Sequence, residues 1–384
     1  MANKHLSALL KLPGAVAPSN DFKIFEQGVR HPSPSFNFIL GNTHLIPFGS
    51  SAIFWGPPKG GKSIIINGII GQLHKDYPDA IAIRFNTEGR EQLQTTPYQK
   101  QIWGIDPERF IAIETNRPNE IFDTIEHEIP KLVQNGANIK LIIIDSVSDI
   151  MGRRALNADG VDTQQMGDEA LTIKDGLKRI KFVYKRLGIA LILVAQERAE
   201  MDPMEQRKHR TVKMHGSAYL KHLGEYFVHV RKNDSADGKK DLSGNMLVSE
   251  LTDMNDNKEQ VGHKIVVKMQ DSTIGPKLRV GEFTLHYYKG LINVHEEVFT
   301  LACNRNLVDR PNMRTYVVKD FPQKGEESKW GSKDEFLTAI KSNDQLRNEL
   351  IARLKAKDIE LMKEGKMDDG VAEELPETDT EDPI

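Results

Sequence analysis

The residues whose types and spacing best suit chemistry begin with Lys62 and Ser63. They close the stretch Gly56-Pro57-Pro58-Lys59-Gly60-Gly61-Lys62-Ser63, which completes the spacing G-x-x-x-x-G-K-S/T of a phosphate-binding loop. The glycines let backbone N–H groups turn inward around phosphate oxygens. The Lys62 ammonium then reaches the β/γ oxygens, and the Ser63 hydroxyl can ligate Mg²⁺. Asp145 closes the apolar run Lys140-Leu141-Ile142-Ile143-Ile144, where a carboxylate can hold Mg²⁺ through water. Glu88 follows the apolar stretch Ala80 to Phe85 and could orient or deprotonate an attacking water; taken alone it reads equally well as a solvated loop acid. Gln196 ends the run Ala190-Leu191-Ile192-Leu193-Val194-Ala195.

These side chains need elements that carry them to one place. Ala52-Ile53-Phe54-Trp55 supplies a strand before the loop, and Ile64-Ile65-Ile66 opens a helix whose N-terminal dipole favours an anion. Continuous apolar runs around 80–85, 111–113, 140–145 and 190–195 alternate with helical patterns at 118–134 and 171–187. The alternation predicts an open, mostly parallel α/β sheet with its site at the strands' carboxyl ends. Further strands at 226–231, 264–269 and 282–288 read as an antiparallel extension. Residues 291–306 and 333–364 are helical by pattern.

At 384 residues and 39% hydrophobic content, the chain has room for one large core with smaller appendages. No uncharged apolar run is long enough to span a membrane, and the first residues lack a signal-peptide plan. Cys303 is the only cysteine, which excludes an internal disulfide and a thiolate zinc cage and suits a reducing cytoplasm. The net charge of −3 conceals an asymmetry, since residues 368–384 hold eight acids and no base and leave the rest at +5. A basic body with a disordered acidic tail is compatible with a polyanionic partner.

The expected organisation is an N-terminal segment over 1–32, a core over 33–295, a helical region over 296–366 and an acidic tail over 367–384. The first segment is either a start that packs on its own domain or an arm that docks on a neighbouring subunit. Two long polar segments interrupt the core at 151–168, with Arg153 and Arg154, and at 197–217, with Arg198, Arg207, Lys208, Arg210, Lys213 and Gly216. Segments of that length are functional or disordered. The bases at 207–213 can bind phosphates or simply be a solvated surface.

In their order and spacing the phosphate loop, Asn37 to Gly41, Thr87-Glu88, Gly104 to Arg109, Leu141 to Ser146, Val194-Ala195-Gln196, Gly216 with Leu220, and Val266-Val267-Lys268 resemble the RecA-type recombinases, most closely the phage UvsX type. The resemblance implies a RecA-like P-loop ATPase core and a DNA-dependent ATPase that uses ATP and Mg²⁺. It implies filaments on single-stranded DNA and strand exchange with homologous duplex DNA, with a loading mediator and a single-strand-binding protein as possible partners. It also implies a cytoplasmic location, that of a host cell for a phage-encoded chain. By the same resemblance Glu88 is the catalytic glutamate, Gln196 senses the γ-phosphate, and 151–168 and 197–217 are the DNA-binding loops. Lys268 reaches the neighbouring subunit's ATP, and Tyr98 lies one residue from the adenine-stacking position. Gln270 stands where bacterial RecA proteins have a second lysine. The alternative on the same core is a hexameric motor such as a replicative helicase, but 1–32 is too short for the separate collar domain a closed ring would normally bring.

Overall fold

A computed structural model describes residues 26–91, 97–156, 167–201, 203–207, 212–216, 218–233, 262–273 and 275–364. Most of the N-terminal segment and the acidic tail lie outside them, as do Lys208 and Arg210. The chain divides into two units, Met1–Thr300 and Leu301–Ile384.

The strands of the first unit are β1 Gly28–Val29, β2 Ile46–Pro47, β3 Ser51–Gly56, β4 Ile81–Asn86, β5 Phe110–Glu114, β6 Ile139–Asp145, β7 Ala190–Ala199, β8 Val212–Met214, β9 Tyr226–Lys232, β10 Gly262–Ser272, β11 Val280–His286 and β12 Gly290–Ile292. Among the described residues ten of them form one sheet in the order β12-β11-β10-β9-β3-β7-β6-β4-β5, with β8 paired to β7. From β9 to β5 every neighbour is parallel. β10, β11 and β12 continue the sheet antiparallel, as does the β7–β8 hairpin. The expected α/β class with a mostly parallel sheet and an antiparallel extension is therefore observed. One strand departs from that reading, because β9 lies parallel to β3 and so belongs to the parallel half.

The central strands are uninterrupted apolar runs because both faces are covered. Ala52 and Phe54 of β3 pack on one face with Ile65, Ile66, Ile69 and Ile70 of the helix Lys62–Asp76. Ile53 and Trp55 point to the other face, with Leu177 and Ile180 of the helix Asp168–Leu187 and Phe122 of the helix Pro118–Asp123. This two-sided burial holds the carboxyl ends of β3, β4, β6 and β7 in fixed register. Among the described residues no helix is long and apolar enough to cross a membrane.

Two stretches that read as loops carry more structure than their composition suggests. β7 continues past Gln196 to Ala199, because Glu197, Arg198 and Ala199 pair with Met214, Lys213 and Val212. Backbone pairing with a neighbour extends a strand where the side chains give no apolar signal. Within 151–168 the chain forms a short helix, Arg153–Leu156.

A buried acid fastens the start of the core. Ser33 caps the helix Pro34–Ile39, its Oγ accepting from Phe36 N at 3.1 Å. Glu297 is itself buried and accepts from Ser33 Oγ at 2.5 Å and Ser35 N at 2.9 Å, while its Oε1 has no hydrogen-bond partner among the described residues. Burial pushes its carboxyl from 4.5 up to about 7 against those two hydrogen bonds. Since the folded chain then holds this proton more tightly than the unfolded one, stability falls as pH rises from about 4.5 to about 7. At 1.36 kcal/mol per pH unit the span corresponds to about 3 kcal/mol. Glu297→Gln removes the titration, so the melting temperature of the variant relative to wild type should rise between pH 5 and pH 8. A difference that stays constant across that range would show that Glu297 does not bind its proton more tightly in the folded state.

In the second unit the stretch 333–364 is helical as expected, and a hairpin that the pattern did not indicate precedes it. The helices are Lys333–Ser342 and Asp344–Glu364, and the antiparallel hairpin is β13 Tyr316–Lys319 with β14 Glu327–Trp330. Phe336 makes its core, with the Trp330 ring at 4.6 Å and the Tyr316 ring at 5.5 Å. Buried Asp358 is paired with Arg305 at 3.1 Å.

Candidate functional site

Four parallel strands end at one cleft. It has a volume of about 860 Å³ and is lined by the loop from Pro58 to Ser63 together with Glu88, Asp145 and Gln196. The loop begins at Gly56 with φ 152°, where a Cβ would stand 2.0 Å from the Val230 carbonyl oxygen, so only glycine fits. Gly61, at φ 102°, also adopts a backbone conformation that favours glycine, and a Cβ there would press on the Ile265 methyl at 2.7 Å. The helix Lys62–Asp76 starts next and presents its free N–H groups to the cleft.

Lys62 folds over the loop, its Nζ donating to the carbonyls of Gly56 at 2.8 Å and Pro57 at 2.7 Å. Burial lowers this ammonium from its ordinary value, and the carboxylates of Asp145, Glu88 and Glu197 act to raise it again. Ser63 Oγ donates to Asp145 Oδ2 at 3.2 Å. Burial pushes Asp145 up to about 6; Arg84, the Ser63 hydrogen bond and Lys62 oppose the rise and the Glu88 charge adds to it. A buried carboxylate facing a hydroxyl beside a glycine cradle is a donor set that suits a hard cation next to phosphate oxygens. The residues present therefore fit Mg²⁺, which Ser63 and Asp145 would hold.

Thr87 joins β4 to β6. Its Oγ1 donates to Ser146 O at 2.7 Å and accepts from Ser146 N at 2.8 Å, while Glu88 N donates to Asn86 Oδ1 at 3.1 Å. Glu88 is thus carried on a braced turn. Its Oε1 accepts from Gln196 Nε2 at 3.3 Å, and the same Nε2 reaches Asp149 Oδ2 at 3.2 Å. Ser148 Oγ accepts from the Gln196 backbone N–H at 3.0 Å, which fixes the end of β7 against the turn that follows β6.

The structure thus brings together Lys62, Ser63, Glu88, Asp145 and Gln196, with Pro58, Lys59, Gly60 and Gly61 as lining. Lys268 lies exposed on β10 and is not among the residues lining this cleft. Tyr98 falls in the helix Pro97–Trp103, but its side chain lies outside the described residues. Of the bases expected to meet DNA, Arg153, Arg154, Arg198, Arg207 and Lys213 are exposed. Arg198 and Lys213 are cross-strand neighbours in the β7–β8 hairpin, and Lys213 also pairs with Glu200 at 2.8 Å. Gly216 follows that hairpin with φ 123°.

Several site residues were not foreseen. Asp149 is one, although an acid four residues beyond Asp145 was a readable sign. Arg84 is another: it is fully buried in β4, donates to Glu91 Oε2 at 2.8 Å and to Asn67 Oδ1 at 3.0 Å, and helps keep Asp145 ionised. A lone arginine in an apolar strand was the available signal. Lys232 at the end of β9 also lines the cleft, as do His263 and Tyr287 from the antiparallel extension, where the Tyr287 hydroxyl and His263 Nδ1 are 3.1 Å apart. No sequence signal linked them to the phosphate loop.

Fold and site define a phosphate-loop α/β protein with acids poised beside the loop. No family model matches the chain. It is similar to Protein RecA of Helicobacter acinonychis, at 21% identity over 81% of this chain and 78% of the relative. Protein RecA of Campylobacter hominis is 21% identical over 86% of this chain and 84% of its own length. The corresponding protein of Chloroherpeton thalassium is 22% identical over 88% and 83%. Low but consistent similarity over most of the chain supports the RecA-type family.

Proposed function

We propose that the protein is a DNA-dependent ATPase and homologous recombinase of the RecA type, with the UvsX-type proteins as its nearest likeness. It polymerises with ATP on single-stranded DNA and promotes pairing and strand exchange with a homologous duplex. The observation that carries this reading is the link from Glu88 through Gln196 to the β7–β8 hairpin. The acid assigned to the attacking water is hydrogen-bonded to the residue at which a base-bearing loop leaves the sheet. Movement of that loop on DNA therefore bears directly on Glu88. Lys62 and the loop amides bind the phosphates, Glu88 orients the water, and Ser63 and Asp145 would hold Mg²⁺, which would supply positive charge beside the phosphate oxygens.

Negative-stain imaging with an ATP analogue and single-stranded DNA tests the assembly. Helical filaments are expected, whereas discrete six-membered rings would favour a hexameric motor on the same core. The hairpin bases give a second test. Neutralising Arg207, Lys208, Arg210 and Lys213 together should weaken single-strand binding and flatten its dependence on salt. Every base that no longer neutralises a phosphate lowers the log–log slope by about 0.7. An unchanged slope would leave these bases as solvated surface.

A further inference from the structure

Next to the strand ends that carry the phosphate loop and Gln196 lies a pair of ionisable residues to which the proposed chemistry gives no role. His229 Nε2 on β9 and Glu197 Oε2 on β7 are 3.2 Å apart, with side chains 16% and 19% exposed. Buried Trp55 packs on this histidine with ring centroids 4.4 Å apart. Sheet register puts these groups in line, since Trp55 of β3 is opposite His229 and His229 is opposite Lys268 of β10. Glu197 follows Gln196 directly and opens the β7–β8 ladder opposite Met214, and His215 N closes that hairpin by donating to Gln196 O at 2.7 Å. One hydrogen bond therefore joins the root of the base-bearing hairpin to the strand neighbour of Lys268.

We propose that Glu197 and His229 are a positioning pair, which ties the β7–β8 hairpin to β9 and sets the placement of Lys268 by the state of the hairpin. The inference rests on the reading of the chain as a filament-forming ATPase stimulated by DNA. Gln196 conveys the hairpin's state to Glu88 within the subunit, and Glu197 conveys the same state across β9 to the lysine assigned to the next subunit's ATP. The hairpin thereby acts on both sites that flank its subunit. Neither member of the pair is among the residues lining the cleft. The geometry suits the task because a mostly buried carboxylate that loses a hydrogen-bond donor is left poorly solvated, so the pair favours one arrangement. The packed indole restricts the movement of the imidazole.

The test is steady-state ATP hydrolysis by the full chain, with and without single-stranded poly(dT), for wild type, Glu197→Ala, His229→Ala, the double variant and Glu197→Gln. Each alanine change should lower the DNA-stimulated kcat by on the order of tenfold, the cost of small misplacement at a reacting centre, while KM for ATP stays within about twofold. The double variant should be no worse than the poorer single, because two residues acting as a unit are not additive. Glu197→Gln keeps an acceptor for the imidazole N–H and should recover most of the stimulation. A pair that only braces the sheet would lower the melting temperature and reduce basal and stimulated rates alike, and that outcome overturns the proposal. So would single effects that multiply in the double variant. Should the alanine variants fail to fold, Glu197→Asn and His229→Gln, which only draw the partners apart, complete the same cycle. Wild type indifferent to poly(dT) would remove the underlying reading and this inference with it; stimulated wild type with equally stimulated variants would remove the inference alone.

Discussion

Lys62→Ala should abolish measurable ATP hydrolysis, with a loss of at least about 10²–10³-fold, and leave the fold in place. The lysine is the cation of the phosphate loop, and its Nζ is held by the Gly56 and Pro57 carbonyls of that loop rather than by the hydrophobic core. Burial already lowers the charge preference of this ammonium, so the folded chain holds it at a cost that binding of phosphate relieves. Removing it costs two hydrogen bonds to carbonyls within the loop and no contact of the hydrophobic core. The fold should therefore keep its melting temperature to within a few degrees while turnover disappears. Two measurements on one preparation, a thermal melt and a phosphate-release assay, decide the matter. Turnover at the wild-type rate in a folded variant would remove the loop from the chemistry, and a collapsed fold would show that the lysine serves structure first.

How much of this was legible in the sequence depended on where each signal resides. β3, β6 and β7 were readable because a parallel strand covered on both faces must be apolar throughout, and their carboxyl ends then locate Gly56, Asp145 and Gln196 together. The phosphate loop was readable because its constraint is local: φ values that only glycine accepts, followed by a helix start. The last residues of β7 were not readable, since Glu197, Arg198 and Ala199 have no strand pattern of their own and are held by pairing with β8. The parallel direction of β9 was hidden for a similar reason. Direction is set by the crossover that brings Tyr226 beside Ala52, and side-chain alternation is the same for both directions.

Within the site, residues on single strand ends were foreseen and residues that act through long-range partners were not. Arg84 looks out of place in the run Ile81 to Asn86 until Glu91 and Asn67 are seen around it. Their meeting needs the helix Lys62–Asp76 and the turn after β4 to pack on the same side. The same holds for Glu197 and His229, whose contact exists only because β3 stands between β7 and β9 and the side chains share one face across it. Spacing in sequence carries no trace of such pairs.

Activity should return when two inactive variants, Glu88→Gln and Lys268→Ala, are mixed with ATP and single-stranded DNA. Lys62, Glu88 and Asp145 sit at strand ends around one cleft, whereas Lys268 is exposed on β10 and does not line it. A lysine that serves phosphate chemistry from there does so at the cleft of another subunit, where positive charge meets the charge developing on the transferred phosphoryl group. Glu88→Gln then disables a site in its own subunit, and Lys268→Ala disables the site next door. In a mixed filament some interfaces join a subunit with intact Glu88 to a neighbour with intact Lys268. Random mixing in equal amounts makes such interfaces roughly a quarter of the total, because a directional filament contact takes one surface from each partner. Turnover of about a quarter of wild type is expected at equal mixing, and it should vary with the product of the two fractions as the ratio is changed. A mixture as inactive as its parts, in filaments shown to contain both variants, would place the action of Lys268 inside its own subunit or remove it altogether. Because the resemblance puts Gln270 where bacterial RecA proteins have a second lysine, no second cation is expected to compensate, and the loss on Lys268→Ala should be nearly complete.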